Sequence, residues 1–133
     1  MAYLVASWSK DPSSQIGAVI VDAYNRVISS GFNGFPVGVK DTEERLGDRE
    51  TKYKMILHAE ENAIMFARQN LSGCSIYVTK MPPCAHCAAL IIQSGIKFVY
   101  VPDTEIPERW QESVGLTKQM FREAGVKIQF VKL

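Results

Sequence analysis

The sequence predicts an α/β fold in which a mixed five-stranded sheet carries helices on both faces. Residues 16–21 are almost continuously apolar and rich in β-branched side chains, as in a strand that is covered on both sides. Asn25-Arg26 is a plausible turn from that strand into a second one over 27–32, so the two form an opening hairpin. After the hairpin, helix-like and strand-like segments alternate to the end of the chain.

The first part of the chain predicts a helix, the hairpin and a long loop. Residues 1–9 place apolar side chains at helical spacing, and Asp11-Pro12 ends that pattern because proline disfavours helical backbone in the residue before it. Over residues 33–53 the pattern dissolves into glycine, proline and charge. A loop of about 20 residues is unusual in a compact domain and is often functional.

The second part predicts three helices that alternate with three strands. Pro82-Pro83 stands just ahead of one helix, where proline is tolerated, and Gly95 ends that helix. The predicted helices are 60–67, 84–94 and 111–124, and the predicted strands are 74–79, 97–101 and 126–131. No repeat, low-complexity tract or linker interrupts the chain, so we expect residues 1–133 to form a single domain.

The composition and net charge of the chain argue against several classes of protein. The chain has 133 residues and a net charge of +1, whereas a protein that grips a polynucleotide backbone usually carries a basic face. No apolar run approaches the roughly 20 residues that span a bilayer, and the start has no basic leader. The chain has three cysteines, two of them in a CxxC. An odd number with this spacing favours metal binding, in the reducing interior of a cell, over disulfide bonds. We therefore expect a cytoplasmic protein with neither nucleic-acid polymers nor membranes as partners.

Two short motifs carry the chemistry, His58-Ala59-Glu60 and Pro83-Cys84-Ala85-His86-Cys87. One imidazole and two thiolates are ligands that zinc prefers, and three such ligands leave the fourth tetrahedral position for water. The two cysteines are three apart, so they share one face of a helix, in a first turn that stabilises thiolates. Glu60 adds a carboxylate that can take a proton from water and return it to a departing amine. This spacing is that of zinc-dependent nucleobase deaminases.

The residues of these two motifs could also form a redox pair or a structural zinc site. A CxxC can be a redox pair, but the upstream His-x-Glu disfavours that. His86 is a rival ligand; on a helix it points roughly 100° away from Cys87 and roughly 200° from Cys84, so we expect it outside the coordination shell. A structural zinc site needs a fourth ligand, and the only other thiol, Cys74, lies in an apolar strand where we expect it to be packed core.

The chain resembles the deoxycytidylate (dCMP) deaminases of the cytidine/deoxycytidylate deaminase superfamily over most of its length. The metal motif is shared with cytidine, guanine, riboflavin-pathway and tRNA adenosine deaminases, and two N-terminal segments narrow the match to the mononucleotide enzymes. The matching segments are SKDPSSQIGA at 9–18, GFNGFPVG at 31–38, HAEENAI at 58–64, GCSIYV at 73–78, PCAHC at 83–87 and IIQSGIK at 91–97. The resemblance implies a cytidine-deaminase-like three-layer α/β/α sandwich.

The resemblance also implies an activity and its regulation. The expected reaction is hydrolysis of dCMP to dUMP and ammonia, which feeds dTMP synthesis, with one catalytic Zn²⁺ per subunit. The implied zinc ligands are His58, Cys84 and Cys87, with Glu60 as proton shuttle. A homo-oligomer, hexameric or smaller, is implied, with dCTP and Mg²⁺ as activator and dTTP as inhibitor.

Candidate regulatory residues lie in the glycine-rich loop and on the helix after the first motif. Gly34 and Gly38 would contact the regulatory nucleotide, and Asp41 its metal. Phe66 occupies the helix where the family carries regulatory and interface contacts. The same composition is typical of any exposed connector, and Phe66 by itself is also typical of a packed helix.

Candidate substrate contacts come from the first half of the chain and one strand end. Asn33 both donates and accepts hydrogen bonds, which suits a sugar hydroxyl. Two hydroxyls and a cation, from Ser7, Ser9 and Lys10, suit a 5′-monophosphate. The backbone N–H of Ala59 and the carbonyl of Pro82 can read the base edge. Tyr100 is a further candidate contact, or else a core aromatic.

Two other classes of protein stay open. A polynucleotide-editing deaminase such as the tRNA adenosine type shares the metal motifs, although the near-zero net charge argues against it. A non-catalytic zinc module that binds a nucleotide or a partner would have no need of Glu60.

Overall fold

The computed structural model describes residues 1–133 as one five-stranded sheet with six helices. In chain order the elements are α1 (Ala2–Ala6), β1 (Gly17–Val21), β2 (Val27–Phe32), α2 (Glu43–Gly47), α3 (Arg49–Met55), α4 (Ala59–Ala67), β3 (Ser75–Val78), α5 (Ala85–Ser94), β4 (Phe98–Pro102), α6 (Glu108–Ala124) and β5 (Lys127–Val131). The strand order is β2-β1-β3-β4-β5. β1 is antiparallel to both neighbours, whereas β3, β4 and β5 are parallel, so the predicted mixed sheet is confirmed.

Helices cover both faces of the sheet, as predicted, but unequally. Ala18 and Ile20 of β1 belong to a core of 15 buried residues that includes side chains of α4, α5 and α6. Val19 and Val21, which alternate with them, pack instead with Val5 of α1. Successive strand residues point to opposite faces, so three helices lie on one face and the short α1 lies on the other.

The loop predicted over residues 33–53 is wrong in part, because α2 and α3 form within it. Thr42 caps α2 by accepting a hydrogen bond from the N–H of Arg45 at 3.2 Å. α3 is anchored by Lys52, whose Nζ lies 3.1 Å from Oδ1 of Asp11, with both side chains less than 10% exposed. This buried ion pair joins segments that are distant in sequence, and the polar composition of the segment does not reveal it.

The other predicted elements are confirmed, with ends that differ by at most three residues. The largest differences are at the end of α1 and at the start of α6, which begins at Glu108 directly after Pro107. None of the helices combines the length and the apolarity that crossing a bilayer requires.

The strand directions bring three helix starts to one edge of the sheet. β2 and β3 run the same way because each is antiparallel to β1 between them, and β4 is parallel to β3. α5 and α6 follow β3 and β4 directly and therefore start at that edge. α4 also starts there, because after α2 and α3 the chain returns and Leu57 pairs with Gly34, just past the end of β2. Gly31 of β2 lets α4 approach closely, since a Cβ there would overlap the carbonyl of Ala59 and the amide of Ala63.

Candidate active site

Three side chains with metal-binding atoms meet at the starts of α4 and α5. His58 immediately precedes α4, Cys84 immediately precedes α5, and Cys87 lies in the first turn of α5. Their ligand atoms all lie within 4.8 Å of one another. Nδ1 of His58 is 3.2 Å from Sγ of Cys87 and 3.5 Å from Sγ of Cys84. Ordinary bond lengths to tetrahedral zinc separate a nitrogen from a sulfur ligand by about 3.5 Å, so the cluster fits a zinc ion.

Hydrogen bonds within this cluster distribute the protons unequally. A hydrogen bond from Cys87 lowers the pKa of Cys84 to about 4, against the opposing effect of burial. The same bond, together with burial, raises the pKa of Cys87 above its ordinary range. The hydrogen bond with Cys84 raises the pKa of His58 to about 9. Zinc binds thiolates and neutral imidazole, so a bound cation would take the place of these protons.

Glu60 brings a buried carboxyl group to the same place. It is the second residue of α4, is 5% exposed, and lines the same cavity as His58 and Cys84. Burial raises the pKa of Glu60 to about 7, although a backbone hydrogen bond and the charge of His58 oppose that rise. A carboxyl group with a pKa near neutrality is suited to both taking and giving a proton.

Residues beside the cluster have the positions that the sequence predicted. The His86 side chain is 72% exposed and faces Glu61, with Nε2 3.7 Å from Oε2, so it lies outside the group of metal-binding atoms. Oε1 of Glu61 accepts a hydrogen bond from the N–H of His58 at 2.9 Å, which fixes the backbone of that ligand. Cys74 is 5% exposed and belongs to the main core, as predicted.

A cavity of about 600 Å³ contains this site and opens to solvent. Its volume lies within the range of small-molecule sites in proteins. It combines apolar walls with a few polar groups, which is the composition of a pocket that orients one small ligand. The lining includes Ile16, Val78, Pro82 and Val114 among apolar residues, and Arg49, Lys52, Tyr53, Arg109 and Ser113 among polar ones.

Three residues with predicted substrate contacts, Asn33, Ala59 and Pro82, line this cavity. Ala59 is the first residue of α4, so its N–H has no partner within the helix. The Asn33 amide is already engaged: Oδ1 accepts from the N–H of Ile16 at 2.9 Å, and Nδ2 donates to the carbonyl of Ser14 at 2.8 Å. Asn33 therefore holds the neighbouring wall in place, and its contact with a sugar stays a prediction.

The structure does not bring Ser7, Ser9 and Lys10 to the cavity. The hydroxyl groups of Ser7 and Ser9 donate to backbone carbonyls, those of Leu4 and Asn33. The Lys10 side chain is 73% exposed and pairs with a surface carboxylate.

The cations of the cavity are instead Arg49, Lys52 and Arg109. Arg49 and Lys52 lie on α3, inside the segment that the sequence predicts as a loop. Arg109 lies two residues before the predicted start of the last long helix. The capping signal at Thr42 is the one local sign of ordered structure in the first of these segments, and nothing local marks Arg109.

Tyr100 lies on the opposite face of the sheet from the cavity. Its neighbours Val99 and Val101 point into the main core, so the alternation of the strand directs Tyr100 away from it. Its ring stacks on that of Tyr77, with centroids 4.6 Å apart and an interplanar angle of 16°.

The four candidate regulatory residues also lie outside the cavity. Gly34 pairs in an isolated β-bridge, and Gly38 has a positive φ of 86°. Asp41 holds Lys10, with Oδ2 3.2 Å from Nζ. Phe66 is 50% exposed on α4.

Comparison with known proteins adds independent evidence. Residues 1–102 match the family described as the cytidine and deoxycytidylate deaminase zinc-binding region. The chain is 51% identical over 135 residues to an uncharacterized deaminase in the luxG 3′ region of Aliivibrio fischeri, covering 100% of this chain and 90% of that one. It is 40% identical over 137 residues to the deoxycytidylate deaminase of Homo sapiens, covering 95% and 72%.

The fold is also found among solved structures. The dCMP deaminase of the cyanophage S-TIM5, in complex with dCMP and dUMP, superposes with a TM-score of 0.73 over 98% of this chain and 90% of that one. The two sequences are 22% identical, so the likeness shows the shared fold. The predicted cytidine-deaminase-like fold is thereby confirmed.

Proposed function

This chain belongs to the cytidine and deoxycytidylate deaminase family and is a hydrolytic deaminase, and we propose that it converts dCMP and water to dUMP and ammonia with the help of zinc. The observation that carries the proposal is one cavity holding His58, Cys84 and the Glu60 carboxyl, with Cys87 beside them. Curated relatives named deoxycytidylate deaminase, 41% identical in Mus musculus and 40% in Homo sapiens, support dCMP as the substrate. In this proposal residues 1–133 form one catalytic domain.

His58, Cys84 and Cys87 would hold the zinc ion. Bound there, zinc would supply Lewis-acid activation of a water molecule. Catalytic zinc sites typically have three protein ligands of this kind, whereas structural zinc sites normally have four.

Glu60 would move the protons of the reaction. It accepts a proton from the water as the new C–O bond forms at the ring carbon that carries the amino group. It then donates a proton to that amino group, so the C–N bond breaks and ammonia leaves. The proton of the new hydroxyl group moves to the adjacent ring nitrogen, which gives the carbonyl and ring N–H of dUMP. The carboxyl group thereby returns to its starting state.

The cavity offers groups for each part of the nucleotide. The N–H of Ala59 and the carbonyl of Pro82 would read the base edge, and Asn33 would meet the sugar. We further propose that Arg49 and Arg109 bind the 5′-phosphate, since both are exposed cations that line this cavity. Lys52 contributes less, because Asp11 already neutralises it.

Regulation is a separate proposal that rests on the family resemblance. In it, dCTP with Mg²⁺ activates a homo-oligomer and dTTP inhibits it, through contacts with the candidate regulatory residues Gly34, Gly38, Asp41 and Phe66. Initial rates against dCMP concentration, with and without each effector, test this. Curves that neither effector alters would contradict regulation without affecting the deaminase proposal.

The proposed activity is tested by measuring ammonia release from dCMP, dCTP, deoxycytidine and CMP in parallel. We expect the highest kcat/KM for dCMP. An equal or higher kcat/KM for deoxycytidine would refute recognition of the phosphate, and activity confined to adenosine in tRNA would favour the polynucleotide-editing class.

A further inference from the structure

Two hydroxyl groups of α6 hold the peptide groups on either side of Cys84. Oγ1 of Thr117 donates to the carbonyl of Pro83 at 2.8 Å, and Oγ of Ser113 accepts from the N–H of Ala85 at 3.0 Å. Ser113 and Thr117 are four residues apart on a helix, so they share one face. That face meets the segment of chain that carries the cysteine.

α5 holds only part of this segment: the carbonyl of Cys84 accepts from the N–H of Ala88 at 2.8 Å, but the carbonyl of Pro83 and the N–H of Ala85 have no partner within the helix. Cys84 precedes the helix, with φ −68° and ψ 168°, so its backbone is extended and not helical. Ala85 is the first residue of α5, and its N–H belongs to the group that has no partner within the helix. The carbonyl of Pro83 also lies before the helix. Both groups depend on a partner from elsewhere in the molecule, and α6 supplies both partners.

Burial makes the hydrogen bond from Thr117 costly to lose. Thr117 is 0% exposed, and Pro83 is among the fully buried residues. A carbonyl left without its donor there would lack a water molecule to replace it, so the backbone would have to shift. Such a shift would move Sγ of Cys84, which now lies 3.5 Å from Nδ1 of His58.

We propose that Ser113 and Thr117 are positioning residues that orient the Cys84 thiolate for zinc. The inference rests on the proposed zinc site and extends it to α6, which lies beyond residues 1–102 that match the family. The two hydroxyls act through the backbone of Cys84 and do not themselves touch the ion. Groups that orient metal ligands in this way typically change metal affinity by about 10- to 100-fold when they are removed.

The experiment compares variants of the zinc-loaded protein in competition with a chromophoric chelator. Thr117→Val removes the hydroxyl at nearly constant volume, Thr117→Ser keeps it, and Ser113→Ala removes the acceptor from a partly exposed position. Thr104→Val is a matched control, because Oγ1 of Thr104 also donates to a carbonyl, that of Lys80 at 2.7 Å, on the surface. We expect Thr117→Val and Ser113→Ala to weaken zinc binding by about tenfold or more. Thr117→Ser and Thr104→Val should stay near the wild type.

A second readout separates positioning from packing. With cobalt in place of zinc, the thiolate-to-metal absorption of Ser113→Ala should shift or weaken relative to the wild type. Unchanged zinc affinity and an unchanged cobalt spectrum in Ser113→Ala would refute the positioning role, whether or not Thr117→Val folds. A wild-type protein that binds no zinc would refute the proposed metal site as well, so the two failures are distinguishable.

Discussion

At the scale of the residue, the proposed function assigns metal binding and proton transfer to different side chains. His58, Cys84 and Cys87 form the cluster of metal-binding atoms, and Glu60 is not among them. Both proposed functions still depend on the start of α4, because His58 immediately precedes the helix and Glu60 is its second residue. A single substitution can therefore remove the proton shuttle and leave the metal ligands in place.

Glu60→Gln is the substitution that tests this separation. The amide keeps the size of the side chain but cannot accept the proton from water, so kcat should fall by at least about 100-fold. Zinc content, measured by atomic absorption, should remain near one ion per chain. Turnover close to that of the wild type would exclude Glu60 as the proton shuttle.

Arg109→Ala and Lys10→Ala are a matched pair of variants that tests which cation recognises the phosphate. Both residues are exposed cations, but only Arg109 lines the cavity. Arg109→Ala should raise KM for dCMP by roughly tenfold, because a hydrogen bond to a charged group is lost, and should leave KM for deoxycytidine nearly unchanged. Lys10→Ala should change neither value. A larger effect from Lys10→Ala would restore the phosphate site predicted from the sequence.

At the scale of the element, the contact between α4 and β2 sets the position of His58 and Glu60. The hydroxyl of Ser29 on β2 donates to the carbonyl of Ala63 at 2.7 Å, and Gly31 beside it leaves no room for a side chain. α4 is short, and the residues proposed to bind zinc and move protons, His58 and Glu60, lie at its start. Its docking on the strand thus matters more than its intrinsic helix propensity.

Gly31→Ala should disturb that docking. The added methyl group would meet the backbone of α4, so we expect the free energy of unfolding to fall by about 1–3 kcal/mol and zinc to be held less tightly. Gly115→Ala is the control, because a Cβ at that position of α6 has nothing within 4 Å. Alanine there should stabilise the helix by up to about 1 kcal/mol. Denaturant unfolding would measure both, and equal effects from the two variants would contradict the close packing.

At the scale of the whole molecule, a buried ion pair ties the N-terminal segment to α3 across the cavity wall. Burial of Asp11 opposes its ionisation, but hydrogen bonds from Ser13 and Lys52, and the charge of Lys52, lower the pKa of Asp11 below its ordinary value of 3.8. The pair is therefore fully formed at neutral pH. Removing one partner would leave the other charge buried without compensation.

This ion pair predicts part of the dependence of stability on pH. Because the pKa of Asp11 is lowered in the folded state, its contribution is fully present above the unfolded value of about 3.8 and is lost as the pH falls through the lower folded value. The free energies of unfolding of the wild type and of Asp11→Asn should therefore converge as the pH is lowered from roughly 6 to 2. A constant difference between the two proteins across that range would contradict the assignment.

Local sequence predicts the proposed chemistry and most of the helices and strands of this protein. Metal-binding side chains are identified by type and spacing, and strands and helices by apolar period, so His58, Cys84, Cys87, Glu60 and all five strands are local information. The surroundings of these residues depend on contacts between segments that are distant in sequence. α2 and α3 depend on burial against distant residues, and the direction of Tyr100 depends on which sheet face is covered. The cavity has Arg49 and Arg109, and not Lys10, because strand directions and helix docking fix which segments reach the same edge of the sheet.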